Sequence, residues 1–359
     1  MYIVTNRTVD ESKHTESEAF GSKPIEGPNE LRLAEASRRR NRLAIDILPA
    51  QITPQMAKSV DLNPDNTYPA SAYVARKLIE RSGHGAGARP NGRNLLLFVH
   101  GYNNDMTDVL DRAERLEQNF GVEVIVFSWP ANGGGLHGVL SYKSDKRDAL
   151  ASVGAFNRVL EKLEALVSDF HAQYVMDLEA RAEARFADNA AAWDRYFAKE
   201  VEKHCPFTVN LMLHSMGNYL YKHLLGSSVY SGDRLLFDNV VMVAADTNNE
   251  NHAEWVDRIP YRNRLYITIN ENDGALKASR LKMGEQQKAR LGHYLRRLDS
   301  RVATYIDVTS QPHVGDSHAY FEESPLKNAK VLDFFKASLN GKVAEKPTRY
   351  DPSRNVHRL

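Results

Sequence analysis

The sequence predicts an α/β fold: a mostly parallel central sheet of about eight strands, helices on both of its faces, and a helical insert. Three observations carry that prediction. Short apolar, β-branched runs recur at 94–99, 122–128, 208–214, 239–245, 264–270 and 302–308, and stretches with helical spacing stand between them at 106–120, 218–225, 275–291 and 326–339. Strands that alternate with helices belong to parallel sheets covered on both sides. The runs NLLLFV and NVVMVAA are apolar almost without interruption. A strand with one face in water would alternate; a strand buried on both faces need not.

Taken in order, the first ninety-odd residues differ from the rest. Two weaker strand candidates, 2–5 and 43–48, flank a polar segment rich in Gly, Pro, Ser and Glu, and they suit an antiparallel edge of the same sheet. The arginines at 38–40 with Arg42 read as a solvated loop in preference to a basic binding patch. Residues 82–93 form a flexible, glycine-rich approach to the first strong strand. Between the second and third strong strands lies a connection from Pro130 to Pro206, far longer than a crossover helix requires. It holds Leu178, Ala182, Phe186, Ala190, Trp193, Phe197 and Val201, one apolar stripe at helical spacing on a polar helix. That insert, 141–205, either packs on the core or caps a site, and long inserts in compact domains often do the second. Because strand signals run from Tyr2 to Val308, the 359 residues read as one enlarged domain, with 1–93 as N-terminal edge strands and loops.

Composition excludes several functions. Lys+Arg 47 against Asp+Glu 46 leaves +1, so bulk charge argues against nucleic-acid binding, and the basic tail at 342–359 is cancelled by acidic residues elsewhere. Hydrophobic residues at 42% fit a globular chain, and no apolar run exceeds strand length, so no membrane span is expected. The single cysteine, Cys205, cannot form an internal disulfide, and the start lacks a basic region followed by an apolar one. A cytoplasmic location is the expectation. Neither G-x-G-x-x-G nor a phosphate-binding lysine loop follows the first strong strand, which removes the nucleotide-binding reading. Gly133–Gly135 is plainer as a turn.

The chemistry concentrates in TVNLMLHSMGNYL, where an apolar strand runs into His214, Ser215, Met216 and Gly217 and a helix follows. A serine on a sharp strand-to-helix turn stands exposed at the carboxyl end of the sheet, with helix-start N–H groups beside it. Gly217 supplies the small residue such a turn needs, while Leu213 stands where the first glycine of G-x-S-x-G would be. The bland alternative is a serine that only caps a helix. A second element supports the sharper one: His100-Gly101 comes directly after the first strong strand. A tetrahedral oxyanion needs two preorganised donors, the loss of one costing roughly 3–4 kcal/mol. Here they would be the backbone N–H groups of Tyr102 and Met216, and His100 is expected to shape the loop and not to act as acid or base.

The HGYNN loop, FSWPANG at 127–133, Tyr142 with Asp145, the LHSMGN turn and NDGAL at 272–276 resemble an α/β-hydrolase, and more narrowly an uncharacterised bacterial esterase/lipase-like branch. The resemblance spans roughly 95 to 321 and implies the α/β-hydrolase fold and a Ser–Asp–His triad, with no known substrate. For the acid, Asp273 matches the family's position after the penultimate strand; Asp246, one strand earlier, and Glu271 are alternatives, each with a helix-capping role open to it. For the base, only His293, His313, His318 and His357 lie beyond Asp273. His293 falls in a helical stretch and His357 in a polar tail. His318, followed by an aromatic pair, matches the family's catalytic position, with His313 as second choice. His313, Asp316 and His318 fit no zinc-ligand spacing, so no metal and no cofactor is expected.

The function expected is a serine hydrolase acting on a small-molecule acyl substrate through an acyl-enzyme. The competing reading is a catalytically silent hydrolase-fold protein that binds a ligand or partner, since fold does not fix function.

Overall fold

The computed structural model describes the chain except residues 14–16, 26, 28–29, 40–41, 83–92, 132–134, 203–206, 231, 233 and 281–287, and the side chains of 39, 42, 135–141, 143 and 201–202. The predicted glycine-rich approach, the Gly133–Gly135 run and Cys205 therefore lie largely or wholly outside the described residues. In chain order the strands are β1 (Tyr2–Thr5), β2 (Arg7–Val9), β3 (Phe20–Pro24), β4 (Arg32–Arg39), β5 (Arg42–Ile47), β6 (Leu95–Val99) and β7 (Glu123–Ser128). They continue with β8 (Val209–His214), β9 (Asn239–Val243), β10 (Arg264–Ile269), β11 (Ala303–Asp307), β12 (Arg349–Asp351) and β13 (Val356–Arg358). The helices are α1 (Pro54–Lys58), α2 (Ala70–Arg81), α3 (Met106–Phe120), α4 (Gly135–Ala151) and α5 (Val153–Phe186). After them come α6 (Ala190–Glu202), α7 (Met216–Leu225), α8 (Ala253–Val256), α9 (Gly274–Arg280) and α10 (Ala329–Ser338).

Eleven strands form one sheet in the order β12-β13-β11-β10-β9-β8-β6-β7-β1-β4-β5, and β2 pairs with β3 separately. From β1 through β13 every neighbour is parallel; β4, β5 and β12 add antiparallel edges. The sheet is broader than the eight strands expected because short, weakly apolar segments complete both edges. The residues read as a polar tail contain β12 and β13, and of the arginine run Arg38 and Arg39 end β4 and Arg42 opens β5, with Arg38 meeting Glu114 of α3 at 2.6 Å.

The uninterrupted apolar strands are explained by two hydrophobic clusters, one on each face. Leu95, Leu97 and Val99 pack with α2, α5 and α7, while Leu96 and Phe98 pack with α3 and α10. Leu211 and Leu213 face the first cluster and Met212 the second, so the alternation characteristic of a strand is present with apolar side chains on both faces.

The insert folds differently from a single helix. At 34 residues α5 is about 50 Å long. Its first half buries Phe156, Leu160, Leu163, Val167 and Phe170 against the core. Its second half pairs with α6, which buries Leu178 and Ala182 and sets Phe186 5.5 Å from Tyr196. Asn189 ends the stripe's continuity: its side chain accepts from Ala192 N at 3.0 Å, and the turn folds half of the stripe back on the other half. Of the helix expected over 275–291, α9 covers the part up to Arg280, residues 281–287 lie outside the described residues, Arg290 is extended, and His293 lies in a short 3-10 turn. Among the described residues no helix is long and apolar enough to cross a membrane.

Candidate active site

Parallel strands deliver their C-terminal loops to one edge of the sheet, and the centre of this one carries the loops after β6, β8, β9, β10 and β11. Ser215 occupies the sharp turn between β8 and α7 with φ 54 and ψ −118, a conformation that an L-residue adopts only under constraint. The constraint is visible. Ser215 N donates to Val243 O at 3.0 Å, Asp246 N donates to Ser215 O at 3.2 Å, and Asn218 Nδ2 donates to the carbonyls of Leu213 and Ser215. Gly217 permits α7 to cross β6: a Cβ there would stand 2.7 Å from Val99 O. Gly101 does the same from the opposite loop, since its Cβ would come within 2.8 Å of Ser215 Cβ. Leu213, in place of a glycine, turns its side chain wholly into the cluster beneath α7.

The loop after β6 is held from every side. His100 stacks on Trp129 with ring centroids 5.2 Å apart, its Nδ1–H donates to Gly101 O at 2.7 Å, and Trp129 Nε1 donates to His100 O at 3.0 Å. Burial pushes the His100 imidazole down to about 3, so it is neutral. Asn104 Nδ2 donates to Tyr102 O at 2.6 Å, the buried Arg7 donates to Asn104 O at 2.9 Å, and Asp145 accepts from Asn103 N at 3.1 Å. Tyr102 is thereby fixed beside Gly101, and Met216 opens α7 with an N–H that has no partner within its own helix.

Asp273 follows β10 and is fully buried, and its two oxygens do two things. One accepts from Leu276 N at 2.9 Å and caps α9; the other accepts from His318 Nδ1 at 2.7 Å. Capping and orienting thus coexist in one carboxylate. The loop bearing His318 is tied to the β10 end: Asn270 Nδ2 donates to the carbonyls of Gly315 and Ser317, Gly274 N donates to Asp316 O, and Tyr320 OH donates to Thr268 O. His214 Nε2–H donates to His318 O at 3.1 Å, and the two rings lie 4.8 Å apart. Burial holds the His214 imidazole well below its usual range, so it serves as a neutral donor. Ser215 Oγ and His318 Nε2 have no hydrogen-bond partner among the described residues, and Ser215, His214 and His318 line one cavity of about 550 Å³ with Gly101 and Tyr102.

Residues 88–176 and 172–332 match the family described as alpha/beta hydrolase of unknown function, DUF900. The chain belongs to this alpha/beta-hydrolase family. No curated protein and no solved structure matches it.

Within this hydrolase fold the alternative site residues have other surroundings. Asp246 is buried in an ion pair with Arg290 at 3.0 Å and accepts from Tyr142 OH at 2.8 Å. Glu271 accepts from Leu295 N at 3.2 Å, and His313 is exposed at the loop tip. His357 lies in β13, with Nδ1 2.8 Å from Thr348 Oγ1. Among the described residues no group of His, Cys, Asp and Glu is arranged to hold a metal ion. Sequence reasoning assigned no role to Asn270, Asn104 or Arg7, and none to His214 beyond its place beside the serine. Asn270, Arg7 and His214 act on backbone carbonyls from a distant part of the chain, where no local pattern marks them, and Asn104 acts on those of Gly101 and Tyr102 within its own loop.

Proposed function

We propose that the protein is a serine hydrolase that cleaves an ester-type acyl bond through an acyl-enzyme. One observation carries this reading: His318, 2.7 Å from the buried Asp273, borders the same cavity as a strained Ser215 whose Oγ has no hydrogen-bond partner among the described residues. His318 Nε2 takes the Ser215 proton as Oγ attacks the acyl carbonyl. Asp273 fixes the imidazole with Nδ1 protonated and stabilises the imidazolium. The N–H groups of Tyr102 and Met216 receive the oxyanion. The protonated imidazole gives its proton to the departing alcohol, and water, deprotonated by the same histidine, then releases the acid and restores Ser215. The Ser–His hydrogen bond of such sites commonly tightens only with substrate in place.

A fluorophosphonate probe tests the nucleophile: wild type is expected to label and Ser215→Ala to remain unlabelled, and equal labelling would overturn the assignment. For the base, His318→Ala should abolish turnover of a short-chain ester and His313→Ala should leave it; the reverse moves the role to His313.

A further inference from the structure

The cavity over Ser215 has a charged wall that the proposed chemistry does not use. Asp105, Asp108 and Asp111 line it at one residue per turn along the exposed edge of α3, together with Arg112 and Arg115. Both guanidiniums are already engaged. Arg112 grips the buried Glu322 through Nε and Nη2, the shortest contact being 2.9 Å, and donates to Asn104 Oδ1 at 3.2 Å. Arg115 reaches Glu322 at 3.2 Å and Glu323 at 3.3 Å. The three aspartates, by contrast, have no cation within ion-pair distance among the described residues. Asp105 and Asp108 each use one oxygen in a reciprocal capping box, and the positive end of α3 offsets part of their charge. Asp111, two turns in, lies beyond that offset. The floor of the same cavity holds three buried polar atoms without hydrogen-bond partners among the described residues: Ser215 Oγ, His214 Nδ1 and His318 Nε2.

We propose that this cavity takes an ester carrying a positively charged ammonium group, held by Asp105, Asp108 and Asp111 while the scissile carbonyl lies at Ser215. The proposal rests on the hydrolase reading for the bond cleaved, and on the wall alone for the charge. An anionic substrate is disfavoured because Arg112 and Arg115 are each matched by a glutamate and the remaining wall is acidic. The ammonium can sit on the alcohol or on the acyl side of the ester, and matched ligands separate the two.

Calorimetry on Ser215→Ala protein compares choline butyrate with its uncharged carbon isostere, and a neutral alcohol's ester of a trimethylammonio-alkanoate with its isostere. In one arm the cation is expected to bind about tenfold tighter, each exposed carboxylate contributing about two- to fivefold, and added salt should erode the difference. Asp111→Asn should lower it about two- to threefold, and Asp111→Lys should lower it further. Equal binding of charged and neutral ligands in both arms, or a preference untouched by both Asp111 variants, overturns the proposal. Turnover by the wild-type chain separates the two readings. Hydrolysis of the neutral esters without any cation preference sinks the charge assignment alone. A cation preference in binding with no ester hydrolysed leaves the acidic wall standing and sinks the hydrolase.

Discussion

Two buried aspartates stand at the ends of neighbouring strands, and their partners separate them. Asp273 faces an imidazole at 2.7 Å, whereas Asp246 faces the guanidinium of Arg290 at 3.0 Å. Asp273→Asn should therefore lower kcat about ten-thousand-fold, as the histidine loses its oriented tautomer. Asp246→Ala should act on stability instead, costing about 3–5 kcal/mol in denaturant titrations because it strands a buried cation. A larger kcat loss in the Asp246 variant would exchange the two roles. The buried histidines give a second residue-scale expectation. His100 has its imidazole lowered from 6.5 to about 3 by burial, and His214 is lowered likewise. An unfolded chain thus binds protons that the fold refuses, so the stability these groups contribute is complete above pH 6.5 and is lost as pH falls toward 3. Melting temperature measured from neutral to acid pH should drop across that window, and less steeply in His100→Gln.

At the scale of elements, the site depends on how closely a loop and a helix approach β6. At Gly217 and Gly101, both beside the end of β6, backbone or serine atoms leave no room for a side chain. Gly217→Ala places a methyl 2.7 Å from Val99 O, and β6, at the centre of the sheet, cannot yield cheaply. The variant should lose about 1–3 kcal/mol, read from denaturation midpoints, together with probe labelling of Ser215. Full labelling at wild-type stability would mean the elbow tolerates a wider crossing. The insert teaches a different lesson about elements. Its apolar stripe was legible, and so was its helical period. The turn at Asn189 was not, because a stripe that runs through two helices folded face to face has the same spacing as a stripe on one.

At the scale of the molecule, one sheet carries both clusters and all the loops of the site, so the chain should unfold as a unit. Scanning calorimetry is expected to show one transition with calorimetric and van't Hoff enthalpies equal. A separate early transition would divide the chain into two folding units.

The sequence by itself determined the layered α/β architecture, because the central strands had to be predominantly apolar to lie between two helix layers. It also marked the strand-turn-helix at Ser215, since such a turn with a small residue at Gly217 is a local pattern, and set Asp273 and His318 after it in chain order. What only the tertiary structure decided is which carboxylate meets which base. Asp246 and Asp273 look alike in sequence, each at a strand end, and they differ only in what a distant loop brings against them. The same holds for His214, Asn270 and Arg7, which act on backbone carbonyls far along the chain. The acidic wall of α3 became readable when Glu322 was found beside Arg112, because charge complementarity is a property of neighbours in space.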